Sequence, residues 1–239
     1  MRLDRFLAEA GNGTRSEIKK SVRAGDVAVN GVIERDPGRH VDPQTDAVTV
    51  RGRAVSLELL RYFLINKPAG VVTATQDKNA GTVLDLIPAE LRRGLYPVGR
   101  LDKDTEGLLL LTNDGPLGHG LLSPRRHVEK TYAAVLRVPL TVEAQARLAE
   151  GVDIGDETPT LPASVQATED GCLLTIREGR YHQVKRMMLA VGNEVLHLRR
   201  VSMGGLVLDS DLVSGGYRPL TEEEVRGLYE AAGMPFPDT

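Results

Sequence analysis

The chain has 239 residues, 41% of them hydrophobic, which suits a packed core and either one medium domain or a small domain ahead of a larger one. Its formal net charge of -3 gives no global nucleic-acid signal, and its single cysteine, Cys172, excludes an internal disulfide and a cysteine-type zinc site. No apolar run approaches the roughly 18 residues of a spanning helix, and charges at Arg2, Asp4 and Arg5 occupy the place of a secretory apolar stretch, so the expectation is a cytoplasmic monomer with no membrane partner.

Leu3, Phe6, Leu7 and Ala10 recur at helical spacing and predict a short amphipathic helix over 2–10, broken by Gly11-Asn12-Gly13. Thr14 and Glu17 match a capping box for a second helix, with Ile18 and Val22 inward and Gly25 as its stop. Arg15, Lys19 and Arg23 are spaced by four and form one charged stripe. Val27 and Val29 lead into Asn30-Gly31, a hairpin signal, and Val41 and Val48–Val50 suggest further strands. A first domain over 1–58 follows, with a linker over 51–61.

The second domain, 62–239, has a mixed pattern. Tyr62–Asn66 reads as a strand ended by Lys67-Pro68-Ala69-Gly70, and 82–87 as a short helix stopped at Pro88. Leu108–Leu111 reads as a buried strand closed by Asn113-Asp114-Gly115. Runs 131–138 and 172–177 read as strands and 140–149 as a helix. Val184, Met187, Met188 and Val191 place an amphipathic helix over 181–191, ended by Gly192. Strands and helices alternate irregularly, which favours an α+β fold with a mainly antiparallel sheet.

Charge is unevenly distributed. Residues 1–24 hold six Lys/Arg against three acids, and 172–205 six against two, whereas 140–171 hold seven acids and one Arg. Such segregation fits either a basic RNA-binding face or ordinary solvated faces. The segment Gly99-Arg100-Leu101-Asp102-Lys103-Asp104-Thr105-Glu106-Gly107 joins an acidic-basic cluster to a buried strand, which puts a loop carboxylate on a rigid support. The opening spacing fits a calcium loop, but its twelfth position is Asn113 rather than a bidentate Glu. An aspartyl-phosphate site fails by one residue, because Thr105 directly follows Asp104. A lone nucleophile or base at Asp102 and a merely ion-paired loop aspartate both stay open.

The first quarter of the chain, from Arg2-Leu3-Asp4 to Gly25-Asp26-Val27-Ala28-Val29-Asn30-Gly31, resembles the alpha-L RNA-binding domain, a module shared with a ribosomal small-subunit protein. The string Gly99-Arg100-Leu101-Asp102-x-Asp104-Thr105-x-Gly107-Leu108, ending in Thr112-Asn113-Asp114-Gly115, resembles the signature of bacterial rRNA pseudouridine synthases of the small-subunit type. The likeness runs through Tyr62–Gly70, Glu129-Lys130-Thr131-Tyr132 and Glu178–Met187 to Tyr217-Arg218-Pro219-Leu220, in the right order.

The resemblance implies a small alpha-L domain followed by a pseudouridine synthase catalytic domain that isomerises a uridine of ribosomal RNA without metal or other cofactor. It places Asp102 as the carboxylate acting at the ribose, as nucleophile or base, with Lys185 as its cationic partner and Arg100 as a second candidate. It places Tyr132 against the target base and Leu198 in the base pocket. Arg5, Arg15, Lys19, Arg23, Arg125, Arg126, Lys130, Arg186, Arg199 and Arg200 are expected to meet the RNA backbone, giving affinity and salt dependence more than sequence readout. Tyr181-His182-Gln183 resembles the small-subunit enzymes more than their large-subunit relatives, which favours 16S over 23S rRNA, free or in a small-subunit assembly intermediate. A noncatalytic rRNA-binding assembly factor is the rival function.

Overall fold

The computed structural model describes residues 1–43, 45–56 and 60–237. The chain divides into two compact units, Met1–Leu59 and Leu60–Thr239.

In the first unit, helices α1 (Leu3–Glu9) and α2 (Arg15–Ala24) share one core with a four-stranded antiparallel sheet. Its strands are β1 (Val27–Val29), β2 (Val32–Glu34), β3 (Val48–Val50) and β4 (Arg53–Val55), in the order β2-β1-β3-β4. Thr14 and Glu17 form the expected capping box, and Gly25 ends α2 in the left-handed region at φ +86°. Two residues join each hairpin: Asn30-Gly31 at φ 52° and 81°, and Arg51-Gly52 at 49° and 75°. Positive φ at both positions is the primed geometry that matches strand twist. The second of these turns corrects the expected linker, since 53–55 are a strand. Residues 57–59 of that linker lie outside the described residues. Val41 is buried but belongs to no strand, because its N–H and C=O are both taken by Met1, at 2.8 and 2.7 Å.

The second unit is built on one sheet whose main path is β13-β5-β7-β11-β8-β10-β9. The strands in chain order are β5 (Tyr62–Lys67), β6 (Tyr96–Pro97), β7 (Glu106–Thr112), β8 (Lys130–Leu136), β9 (Ser164–Thr168), β10 (Gly171–Ile176), β11 (Val195–Met203), β12 (Leu206–Val207) and β13 (Tyr217–Pro219). Short β6 and β12 pair with β7 and β11. Every pairing is antiparallel except β7 with β11, where Arg199 and Arg200 face Glu106 and Gly107. The fold is therefore α+β with a mainly antiparallel sheet. Four helices complete it: α3 (Gly115–Leu122), α4 (Val142–Glu150), α5 (Gln183–Ala190) and α6 (Glu222–Ala231).

Strand alternation splits the four leucines of β7 between two cores. Leu109 and Leu111 pack with α4 and α5 through Leu148, Val184, Met187 and Met188. Leu108 and Leu110 pack with α3 and α6 through Leu117, Leu121, Val225 and Leu228. The middle of a strand covered on both faces needs an apolar side chain at each position, which is why 108–111 read as continuous leucine. At the start of β7, a Cβ on Gly107 would sit 2.3 Å from the Arg200 carbonyl oxygen, and φ is +99° there. Only glycine lets the two parallel strands approach this closely.

Three expectations shift. Lys67 belongs to β5 rather than to the turn after it. The helix expected over 82–87 is a single 3₁₀ turn, Val83–Leu86. Asp114, expected as part of a closing turn, accepts the Leu117 N–H at 3.0 Å and caps α3.

Candidate active site

The loop between β6 and β7 carries Asp102 and is held from beneath by its neighbours. Thr73 Oγ1 donates to the Leu101 carbonyl at 2.7 Å and accepts the Leu101 N–H at 3.2 Å. Gly70 N–H donates to the Lys103 carbonyl, and Thr105 N–H to that of Asp102. The Lys67 ammonium, fully buried, donates to the carbonyls of Thr105, Pro68 and Lys103 at 2.8, 3.0 and 3.2 Å. All three of its N–H donors are used, and two of the acceptors lie in the Asp102 loop. Burial pulls the Lys67 pKa down to about 8, against the opposing charges of Asp104, Glu106 and Asp102. Sequence reasoning missed Lys67 as a site residue. The available signal was a lysine that, with Asn66, extends the apolar run 62–65 directly up to a proline turn.

Helix α5 faces this loop. Lys185 Nζ lies 2.6 Å from Asp104 Oδ1 and 3.3 Å from Asp102 Oδ2, so one ammonium serves two carboxylates. The Asp102 and Lys185 side chains are each 25% exposed, whereas Asp104 is 73% exposed. Asp102 therefore opens partly to solvent while its cation is half buried. Burial pulls the Lys185 pKa down, but hydrogen bonds to Asp104 and Asp102 outweigh it and hold the group above the usual lysine value. The hydrogen bond from Lys185 holds the Asp104 carboxyl below its ordinary range. Residues placed side by side by the fold thus form a cationic bridge over the loop carboxylates.

Helix α5 begins at Gln183, two residues later than expected, because His182 takes the left-handed conformation at φ 48° and ψ 33°. That corner turns the imidazole toward the loop, and Nε2 lies 3.5 Å from Asp102 Oδ1. Non-glycine residues at positive φ carry about 1–3 kcal/mol of strain and persist where the surroundings enforce them. His182 carried only a subgroup argument in the sequence; the fold places it against the central carboxylate.

Tyr132 on β8 and Leu198 on β11 belong to the core on the α5 face, at 8% and 6% exposure. Their strands are adjacent, Leu198 opposite Ala134 and Arg200 opposite Tyr132. The Tyr132 hydroxyl makes no hydrogen bond among the described residues. Arg100 is exposed and forms no salt bridge with Asp102.

The expected RNA contacts divide into two groups. Arg15, Lys19 and Arg23 stand exposed along α2, and none forms a salt bridge among the described residues. Arg5 pairs with Glu9 at 2.6 Å. Arg125 and Arg126 are exposed, Arg126 donating to the Gly233 carbonyl, and Arg199 is half buried on β11. Three of the expected contacts are engaged within the fold. Arg200 is 2% exposed, and its Nε donates to the Leu108 carbonyl at 2.8 Å inside the sheet. Lys130 is 7% exposed and donates to the Val128 carbonyl; burial and the nearby Arg200 charge bring its pKa down to about 8. Arg186 spends its guanidinium on Asp156, at 2.5 Å, and on the carbonyls of Ile154 and Tyr181. Asp156 also takes Arg180, so part of the acidic segment folds back onto part of the basic one and neutralises it. Sequence segregation of charge there is not segregation in space.

Among the described residues, no three His, Cys, Asp or Glu side chains gather closely enough to hold a metal ion, and no helix is long and apolar enough to cross a membrane. Comparison with known proteins matches residues 61–190 to a family described as RNA pseudouridylate synthase and residues 1–46 to the S4 domain. An uncharacterized RNA pseudouridine synthase of Bacillus subtilis (strain 168) is 49% identical over 236 residues, 96% of this chain and 99% of that protein. The ribosomal small subunit pseudouridine synthase A of Escherichia coli (strain K12) is 42% identical over 230 residues, 95% of this chain and all of that protein. A crystal structure of a pseudouridylate synthase superposes with a TM-score of 0.69 at 40% identity, covering 95% of this chain and 99% of that one.

Proposed function

This chain belongs to the RNA pseudouridylate synthase family and begins with an S4 domain; on that premise we propose that it converts a uridine of small-subunit ribosomal RNA to pseudouridine, with Asp102 as the catalytic carboxylate. The observation that carries the assignment is the Asp102 carboxylate, partly open to solvent and held 3.3 Å from the Lys185 ammonium on a loop tied to Lys67 and Thr73.

The reaction breaks the bond from uracil N1 to the ribose and forms one from the same ribose carbon to C5 of the ring. The C5 proton leaves and N1 gains one, so no atoms are gained or lost overall. An ionised carboxylate at the ribose serves as nucleophile or as base. Lys185 places a positive charge 3.3 Å from the Asp102 carboxylate, where RNA would exclude water. Tyr132, with its hydroxyl unspent, faces the base; a ring there gives the extruded uracil about 1–3 kcal/mol of stacking. Leu198 lines the same pocket. Arg100, Arg125, Arg126 and Arg199, with Arg15, Lys19 and Arg23 of the S4 domain, meet the phosphates. The small-subunit target rests on the Escherichia coli relative, which acts on that subunit by its name.

Asp102→Asn keeps the side-chain shape and removes the charge. It is expected to abolish pseudouridine formation while leaving rRNA affinity within about threefold, a change under 1 kcal/mol. A mutant that still isomerises uridine removes Asp102 from the chemistry. A pseudouridine map of both rRNAs, with and without the protein, tests the substrate: loss at a large-subunit site would redirect the assignment to 23S rRNA.

A further inference from the structure

Tyr181 is 77% exposed, the most exposed large apolar or aromatic side chain among the described residues, yet it is held firmly. Its ring stacks on His182 with centroids 3.8 Å apart and planes 19° from parallel. His182 Nε2 in turn lies 3.5 Å from the Asp102 carboxylate. The backbone beneath is fixed on several sides. Arg186 donates to the Tyr181 carbonyl at 3.0 Å, Gln183 N–H donates to the Arg180 carbonyl at 3.2 Å, and Gln183 Oε1 accepts the Arg180 N–H at 2.9 Å. Arg180 itself donates to the carbonyls of Thr158 and Pro159.

An aromatic ring stacked on a second ring at base-stacking distance, with its outer side open, offers a nucleobase a flat face at little further ordering cost. The left-handed His182 that creates this stack is strained backbone, which the surrounding hydrogen bonds maintain. We propose that the Tyr181–His182 pair is a subsite for one unpaired nucleobase of the substrate RNA, the nucleotide next to the target uridine on one side. This assignment rests on Asp102 marking where the target sits. Stacking carries little base identity, so the subsite holds the strand in register beside the carboxylate without selecting a sequence.

The test uses the full chain and short single-stranded RNAs with one uridine flanked by 2-aminopurine on its 5′ or its 3′ side. Binding is read in the Asp102→Asn background, so fluorescence does not depend on turnover. One of the two probes is expected to be quenched on binding, with the quench lost in Tyr181→Ala and kept in Tyr181→Phe. With a small-subunit rRNA transcript and Asp102 intact, Tyr181→Ala is expected to raise KM by about 5- to 150-fold, the equivalent of about 1–3 kcal/mol of stacking, and Tyr181→Phe to stay near wild type. Unchanged quenching of both probes together with a KM within twofold of wild type would overturn the subsite. If instead the Asp102→Asn protein proves active, the catalytic assignment fails while the quenching result still decides whether Tyr181 holds a base.

Discussion

Lys185 carries more than one electrostatic duty. Its ammonium bridges Asp104 at 2.6 Å and Asp102 at 3.3 Å, and two carboxylates this close repel each other unless a cation stands between them. Lys185→Met therefore removes the cation that the two acids share. The expected result is a fall in single-turnover rate of about 100-fold or more, in the range found when one preorganised charge-stabilising group is removed. Lys185→Arg, which keeps the charge, should recover most of it. A Met variant with near wild-type rate would show that Asp102 does not depend on this cation. Arg100, the other candidate, cannot substitute from its exposed position without a salt bridge to Asp102.

At the level of the element, the Asp102 loop depends on strand β5. Lys67 gives its three N–H donors to three carbonyls, two of them in that loop, and a neutral amine has one donor fewer. Since burial brings the Lys67 pKa to about 8 in the folded protein, from 10.5 for the free side chain, deprotonation leaves one of the three carbonyls without its donor as pH rises through about 8. The rate is expected to fall as pH rises through about 8, and this limb should be absent from the slower Lys67→Met variant. The stability sign is opposite. The unfolded chain binds more protons between about pH 8 and 10.5, so this group's contribution to stability grows across that window. A rate that stays flat well beyond pH 8 would separate Lys67 from the loop's function. Gly107 supports the same loop from its far end, since β7 and β11 meet there too closely for any side chain.

For the molecule as a whole, the chain divides into two units, and the first carries the exposed stripe of Arg15, Lys19 and Arg23 on α2. The double change Lys19→Glu with Arg23→Glu should weaken RNA affinity and flatten the dependence of log K on log salt by about 1.5, from two lost phosphate contacts. The rate at saturating RNA should hold. An unchanged salt slope would take this face out of the interface. The stripe was legible because helical period alone puts i, i+4 and i+8 on one face, whatever the rest of the chain does. Helix α6 was equally legible and went unread: Thr221 and Glu224 form a capping box, and Val225, Leu228, Tyr229 and Ala232 keep helical spacing. The basic segment 172–205 misled for the converse reason. Arg186 finds the Ile154 carbonyl and Asp156, and Arg200 the Leu108 carbonyl, partners that lie far from them in the chain.

The amino-acid order by itself determined what depends on neighbours along the chain. That covers the capping box at Thr14, the Asn30-Gly31 hairpin, the buried leucines of β7, and the signature that singled out Asp102 and Lys185. Caps, turns and periodic burial are settled within a few residues, and a signature is read directly from the string. Only the tertiary structure decided that Lys67 is a buried anchor, that His182 turns left-handed against Asp102, and that Arg200 lies inside the sheet. Each of those depends on desolvation and on contacts between groups distant in sequence, which local pattern does not specify.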